Sequence, residues 1–110
     1  AVPRFVNLQD EASQAAVNGV AGSIESASAL NHAVAVAVAA GLTTVGADPF
    51  YTVDNCDDGG KLLQNGALPS GYSIAASTGT ISSGATETCT LTGPNSKTAT
   101  FVIIGATGGN

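Results

Sequence analysis

A short acidic segment contains the densest group of side chains that could bind a cation. Asp54, Asp57 and Asp58 precede Gly59, an order that loosely resembles a calcium-binding loop. Cys56 stands where such a loop needs an oxygen ligand, and no Glu follows at the distance that would complete the site. The sequence therefore favours a solvated acidic turn, with calcium binding as the alternative.

Other residues with chemical potential form weaker patterns. Ser28 and His32 are one helical turn apart and could pair as nucleophile and base, but no acid is placed to orient the imidazole. The glycine-rich segment at 105–109 has no helix after it, so it does not predict a phosphate-binding loop. The sequence thus predicts no enzyme, no cofactor and no metal.

The two cysteines, Cys56 and Cys89, are predicted to form a structural disulfide. Their spacing matches neither a CxxC redox motif nor a four-ligand zinc site, and the chain is small, rich in Gly, Ser and Thr, and contains no Met or Trp. A disulfide indicates an oxidising compartment, either periplasmic or extracellular. The alternative is a pair of buried free thiols that act as small apolar residues.

Length and charge narrow the classes of function. The chain has 110 residues, which predicts a single domain, 1–110. Eight acidic residues against three basic ones leave no basic patch for a phosphate backbone, so nucleic acid is not an expected partner. We find no apolar run of membrane-spanning length and no signal peptide, and expect this stretch to be soluble.

The first 41 residues predict one long amphipathic helix, from Pro3 to Ala40, that ends at Gly41. At about 1.5 Å per residue it would span about 55 to 60 Å, whereas a compact chain of this size has a radius of gyration of about 13 Å. Part of the helix should therefore protrude or contact another molecule. Its predicted apolar stripe comprises Phe5, Leu8, Val17, Val20, Ile24, Ala27, Leu30, Val34 and Val38.

Val36 falls outside this stripe, which predicts that a loop or a partner surrounds the helix near its C-terminal end.

Residues 42–71 then change to turn-forming types and predict an irregular connection, with one short helical turn at 61–64. Alternation with a period of two predicts strands at 72–75, 86–92 and 98–104, joined in the last pair by a hairpin loop at 93–96. Residues 105–110 are expected to be a loose tail.

These elements predict an α+β fold in which one long N-terminal helix packs on a small antiparallel sheet of three or four strands. The helix covers one face of the sheet, and from Val17 to Ala40 its apolar stripe supplies the cover. Pro3 to Ala16 remain available to neighbouring molecules.

The N-terminal sequence contains three informative stretches: VPRFVNLQDEA at 2–12, AVNGVAGSI at 16–24 and SASAL at 26–30. Together they resemble a type IV pilin of the mannose-sensitive haemagglutinin type. They correspond to the region just after the hydrophobic N-terminal segment of such pilins, so the present chain would be a soluble form without that segment. Beyond residue 30 the similarity is one of architecture.

The resemblance implies a structural subunit of a bacterial surface filament. In that family the N-terminal helices of many subunits pack in the filament core, and the subunit is anchored in the inner membrane before an assembly machinery adds it to the extracellular pilus. Pro3 matches the residue where the family's helix bends, and Pro3, Phe5, Leu8 and Ala12 become the expected filament contacts. Phe5, Leu8 and Ala12 could instead continue the core stripe of a single subunit.

The chain departs from the pilin pattern in two respects. The family's leader site and the acidic residue near its mature N-terminus are not in these residues, and Cys56 precedes the sheet instead of enclosing a C-terminal loop with Cys89.

Two other functions are alternatives to a pilus subunit. A pseudopilin of a type II secretion system would share the same helix. A secreted or periplasmic binding module would instead use Tyr51, Tyr72 and the acidic loop to recognise a carbohydrate or a host surface.

Overall fold

The computed structural model describes residues 2–42 and 50–109, with side chains described from residue 8 onward in these ranges. Helix α1 spans Val2–Ala39. It ends where the sequence predicts, because Gly41 adopts a positive φ of 77° that a residue without a Cβ accepts readily. The N–H of Gly41 donates to Val38 and that of Leu42 to Ala37, which is the Schellman pattern of a helix C-terminus.

The three strands form one antiparallel sheet in the order β1-β2-β3, with β1 at Ser73–Ile74, β2 at Thr86–Thr92 and β3 at Thr98–Ile104. The hairpin pairs Thr86 with Ile104 and Thr92 with Thr98. Its loop contains a short 3-10 turn at Pro94–Ser96. The structure confirms the α+β arrangement of one long helix on a small antiparallel sheet, and β1 is shorter than the predicted strand 72–75.

Alternation in the hairpin separates a buried face from an exposed one. On the inner face, Cys89, Leu91, Phe101 and Ile103 are buried and meet Val17 and Ile24 of α1. The outer face is rich in threonine: Thr86, Thr88, Thr90, Thr98 and Thr100. The β-branched residues therefore fit the pleat on both faces, while the apolar ones define the core.

The connection between α1 and the sheet is described from Phe50 onward, and 43–49 lie outside the described residues. A 3-10 helix occupies Cys56–Leu62, earlier than the predicted turn at 61–64. A capping box explains its start, since Asn55 accepts a hydrogen bond from the Asp57 N–H and Asp58 accepts one from the Asn55 N–H. The predicted disulfide between Cys56 and Cys89 is confirmed and ties this helix to β2.

The prediction of a loose tail at 105–110 is wrong for the part that the structure describes. Ala106 is fully buried and forms an antiparallel bridge with Val53, with hydrogen bonds of 2.7 and 2.9 Å between their backbones. The Gly109 N–H donates to Thr52 Oγ1. Gly105 is required by close packing, because a Cβ there would overlap the carbonyl of Ser82. Residues 105–109 therefore pack one end of the sheet against the segment that connects α1 to β1.

Candidate functional site

One narrow line on α1 faces the sheet. Its buried residues are Val17, Ala21, Ile24, Ser28 and Asn31, spaced alternately by four and three. Such spacing follows a single face of a helix. Leu30, which the sequence places in the apolar stripe, is instead 71% exposed, so the sheet covers one side of that stripe and leaves the other uncovered.

The two polar residues on the buried line are both hydrogen-bonded. Ser28 Oγ accepts the N–H of Ile104 at 2.9 Å. The Asn31 amide bonds both backbone groups of Tyr51, accepting from its N–H at 2.7 Å and donating to its carbonyl at 2.9 Å. These contacts connect α1 to the end of β3 and to the connection after the helix. Sequence reasoning missed them, although the continuing four-three spacing from Val17 and Ile24 was the available signal.

Helix side chains also bond the free edge of the sheet. β3 is an edge strand, so its outward backbone groups have no neighbouring strand. Gln14 donates to the Thr98 carbonyl at 2.8 Å, and Glu25 accepts from the Val102 N–H at 2.8 Å. With Ser28 they follow the whole strand, since Gln14 to Ser28 spans about 21 Å of helix and Thr98 to Ile104 about 20 Å of strand. The helix therefore lies along β3 and protects its edge.

The opposite side of α1 faces solvent and is built from small residues. Its exposed members are Ala12, Ala15, Ala16, Gly19, Gly22, Ser23, Ser26, Ala29 and Ala33. Leu8 begins this row and Leu30 lies near its other end, and their side chains are 59% and 71% exposed. We call this surface, from Leu8 to Ala33, the outward face.

Charge is almost absent from this part of the helix. Between Ala12 and Leu42 the sequence contains a single carboxylate, Glu25, and that side chain is bonded to β3. A helix face that remains in water usually carries charged or polar residues. The composition of the outward face is therefore better suited to contact with protein than to permanent exposure.

The helix also extends past the body at its N-terminal end. The molecule measures 62 × 27 × 17 Å, and 38 residues of α1 account for about 57 Å of the long dimension. The first described links to the sheet region are the ion pair of Asp10 with Lys97 at 3.9 Å and the hydrogen bond of Ser13 with Asn95. Leu8 and Gln9, which precede these links, are exposed, and the helix backbone continues from them to Val2; we call residues 2–9 the overhang.

The four predicted filament contacts all lie at this overhang or just after it. Leu8 and Ala12 are exposed, so they do not continue the core stripe of the same molecule. Pro3 and Phe5 lie in the helix, and their side chains are outside the described ones.

An open apolar cleft of about 210 Å³ lies beside the far end of the outward face. Its walls are Ala27, Leu30, Asn31, Val34, Tyr51 and Leu62. The Asn31 amide is already bonded to the backbone of Tyr51, so it is not free to bind a ligand in the cleft. Val36 was predicted to be surrounded by a loop or a partner. Its side chain is 52% exposed when only the described residues are considered, and residues 43–49 lie outside the described ones.

The acidic loop has a structural role. Asp58 bonds the N–H groups of Asp54 and Asn55 and pairs with Lys61 at 3.2 Å. Within residues 2–42 and 50–109 no three carboxylate, thiol or imidazole side chains form a metal-ligand cluster. The two tyrosines that the binding-module alternative invokes lie in different places. Tyr51 lines the cleft, whereas Tyr72 packs against Gly93.

The Ser28 and His32 pair does not form a nucleophile and base. The Ser28 hydroxyl is fully buried and already bonded to β3. His32 Nδ1 is buried and makes no hydrogen bond to the described part of the protein. The imidazole lies near the turn at Gly84.

In the described ranges, no helix has both the length and the apolar character needed to cross a membrane. Comparisons with protein-family models, curated proteins and solved structures found no match to this chain.

Proposed function

We propose that this chain is a structural subunit of a bacterial surface filament of the type IV pilin kind. The observation that carries the proposal is the outward face of α1, a long, nearly uncharged surface on a helix that extends past its own body. The similarity of residues 2–30 to pilins supports the same conclusion. Adhesion, surface motility and DNA uptake are the roles that such a filament serves.

The physical basis is the difference between the two sides of α1. One side is used within the subunit, through Val17 and Ile24 in the core and Ser28 at the strand edge. The other side offers small side chains, which let a neighbouring helix approach closely. Contacts of this kind that do not close on themselves produce a fibre.

Gly19 and Gly22 favour an intermolecular contact. A Cβ added at either position would meet nothing within 4 Å. Glycine inside a helix costs about 1 kcal/mol relative to alanine, and no contact with the described part of the subunit requires its small size. Close packing of a second helix would give these glycines a physical reason.

In this proposal Pro3, Phe5, Leu8 and Ala12 contact other subunits in the filament core. The subunit is held in the inner membrane by the segment that precedes these residues in pilins, and the assembly machinery then adds it to the extracellular fibre. The domain itself needs no cofactor for this role.

Deletion and complementation of the gene in the source bacterium test the proposal. We expect electron microscopy to show that surface fibres disappear on deletion and return with the wild-type gene. Leu8→Asp should fail to restore them, because it places a charge in the contact. Thr90→Asp, on the exposed sheet face, is the matched control and should restore fibres. Unchanged fibres in the deletion strain, with the protein free in the medium of the wild type, would contradict the proposal for the main subunit.

A further inference from the structure

The chain contains the dipeptide Asn-Gly twice, at Asn18-Gly19 in α1 and at Asn65-Gly66 in the turn after the 3-10 helix. In this dipeptide the backbone nitrogen of the glycine can attack the asparagine side chain, because glycine has no Cβ to obstruct the approach. Both asparagines and both glycines are exposed. The same chemistry is therefore available at two places, and the local structure decides which of them reacts.

We propose that Asn65 is a site of spontaneous deamidation and that Asn18 is protected from the same reaction. The Gly66 nitrogen attacks Cγ of Asn65, a C–N bond forms and ammonia leaves, so that a cyclic imide joins the two residues. Water then adds to a carbonyl of this ring. Cleavage of the bond from Cγ to the nitrogen gives aspartate, and cleavage of the bond from the backbone carbonyl to the nitrogen gives isoaspartate. Water is consumed, ammonia is released, and no enzyme or cofactor takes part.

The turn at Asn65 presents little resistance to the attack. A single hydrogen bond of 2.8 Å, from the Gly66 N–H to the Leu63 carbonyl, closes this exposed turn. Gly66 has a positive φ of 75°, and a Cβ built there would meet nothing within 4 Å, so no packed neighbour among the described residues restrains it. A hydrogen bond of this kind contributes only about 0.5 to 1.5 kcal/mol, and the glycine nitrogen is free to attack once it breaks.

Asn18 lies in a segment that does not open as easily. The Gly19 nitrogen belongs to the continuous hydrogen-bond ladder of α1, and Val17 and Ala21 on either side are buried in the core. The Asn18 amide oxygen also accepts a hydrogen bond from Gln14 at 3.0 Å. The helix must unwind where it packs on the sheet before the Gly19 nitrogen can reach the Asn18 side chain. Such local unfolding of a packed element costs more free energy than the opening of a surface turn.

The other asparagines whose side chains the structure describes are held by hydrogen bonds. Asn31 bonds the connection after α1, Asn55 caps the 3-10 helix, and Asn95 donates to a serine of α1. None of these three is followed by glycine. Within the ranges 2–42 and 50–109, an exposed turn and a following glycine therefore coincide at Asn65 alone.

Deamidation changes both the charge and the backbone of this turn. It adds a carboxylate to a chain whose net charge is already -5. Isoaspartate also adds a carbon to the main chain shortly before Leu68, which packs against Gly60 of the 3-10 helix. The converted fraction rises with the age of the molecule, and the reaction does not depend on assembly into a filament.

Incubation of the folded protein at mildly alkaline pH, followed by peptide mass spectrometry, tests the proposal. Deamidation raises the mass of a peptide by the difference between NH2 and OH, and chromatography separates the aspartate and isoaspartate products. We expect conversion at Asn65 to be at least about tenfold faster than at Asn18, because the two sites differ in the free energy of local opening.

Asn65→Gln is the matched variant, because a glutamine side chain must close a larger ring and reacts far more slowly. It should lose the modification and keep the wild-type circular dichroism spectrum, since position 65 is exposed. Unfolding in guanidinium chloride is the second control and should raise the rate at Asn18 to that at Asn65.

Equal rates at Asn18 and Asn65 in the folded protein would overturn the proposal. So would an Asn65 that reacts in the unfolded chain and stays intact in the folded one. A rate at Asn18 that remains slow after unfolding would contradict protection by the helix.

Discussion

At the scale of single residues, Ser28 shows how a polar side chain can belong to a core. Its side chain is fully buried, and the hydroxyl accepts the N–H of Ile104 at the free edge of β3. That N–H would otherwise face the helix without a partner. The hydroxyl therefore allows α1 to pack closely on β3 and, at the same point, gives the edge N–H of Ile104 a hydrogen-bond acceptor.

Ser28→Ala should lower the free energy of unfolding by about 1 to 3 kcal/mol. The change leaves a buried backbone donor without its acceptor, which costs more than an ordinary exposed hydrogen bond. Chemical denaturation measures the effect. Ser26→Ala is the matched control, because Ser26 is exposed on the same helix and its removal should change stability little. Equal effects of the two changes would contradict this role for Ser28.

Asp58 gives the fold a dependence on pH. Burial raises the pKa of its carboxyl, but hydrogen bonds from the Asp54 N–H and from Lys61 favour the charged form, and the net pKa is lowered. A lowered pKa in the folded state stabilises the protein above the unfolded value, which is about 4 for Asp. This contribution is lost as the pH falls from that value through the folded pKa.

Asp58→Asn should therefore lower the melting temperature at neutral pH, and the difference from wild type should shrink as the pH falls below about 4. Thermal melts followed by circular dichroism between neutral and acidic pH provide the measurement. Asp57→Asn, at an exposed neighbouring carboxylate, serves as the control. A difference between wild type and Asp58→Asn that stays constant across this range would show that the charge of Asp58 is not the cause.

At the scale of elements, the glycines of α1 and the glycine Gly59 of the 3-10 helix have different surroundings. Gly19 and Gly22 have open space around them, whereas a Cβ at Gly59 would lie 3.1 Å from Ile24 and 3.2 Å from Ile74. Gly59 therefore fits between the 3-10 helix and the core. The two helix glycines meet no such neighbour among the residues that the structure describes.

Gly22→Ala should raise the free energy of unfolding of the isolated chain by about 1 kcal/mol, because alanine is the better helix former. Gly59→Ala is the contrasting variant and should destabilise the chain through contact with the isoleucines. Denaturant titration at low protein concentration separates these effects from association. A loss of stability in Gly22→Ala would indicate an intramolecular packing role that the structure does not contain.

The sequence predicts some elements closely and others less well, for identifiable reasons. The bounds of β2 and β3 match because alternation in TETCTLT and TATFVII is strong and a Gly-Pro loop separates them. The wide apolar stripe of α1 does not by itself reveal which part the sheet covers, although the four-three spacing from Val17 and Ile24 was a signal for it. The structure exposes Leu30, which the stripe includes, and buries Ser28, which it does not. The tail contact of Ala106 with Val53 depends on residues far apart in sequence, and composition alone favoured a loose end.

At the scale of the whole molecule, the Cys56–Cys89 disulfide joins the connection after α1 to the middle strand of the sheet. It closes a loop with a sequence separation of 33 residues. The short β1 and the 3-10 helix contribute few regular backbone bonds in this region. The bridge therefore compensates for a small core.

Replacing both Cys56 and Cys89 with Ser should lower the free energy of unfolding by about 3 to 4 kcal/mol in the chain-entropy model. Thermal melts without reductant measure the change. Wild-type protein treated with reductant after unfolding is the internal comparison and should lose a similar amount of stability. An unchanged melting temperature in the double variant would contradict a stabilising role for the bridge.

In the filament that we propose, the outward face of α1 is buried between subunits. Thiol labelling of purified fibres that contain either Ala12→Cys or Thr90→Cys measures this burial directly, since the native cysteines are bonded and do not react. We predict that a maleimide labels Thr90→Cys in intact fibres, and labels Ala12→Cys only after the fibres are dissociated. Labelling of Ala12→Cys in intact fibres as fast as Thr90→Cys would contradict the claim.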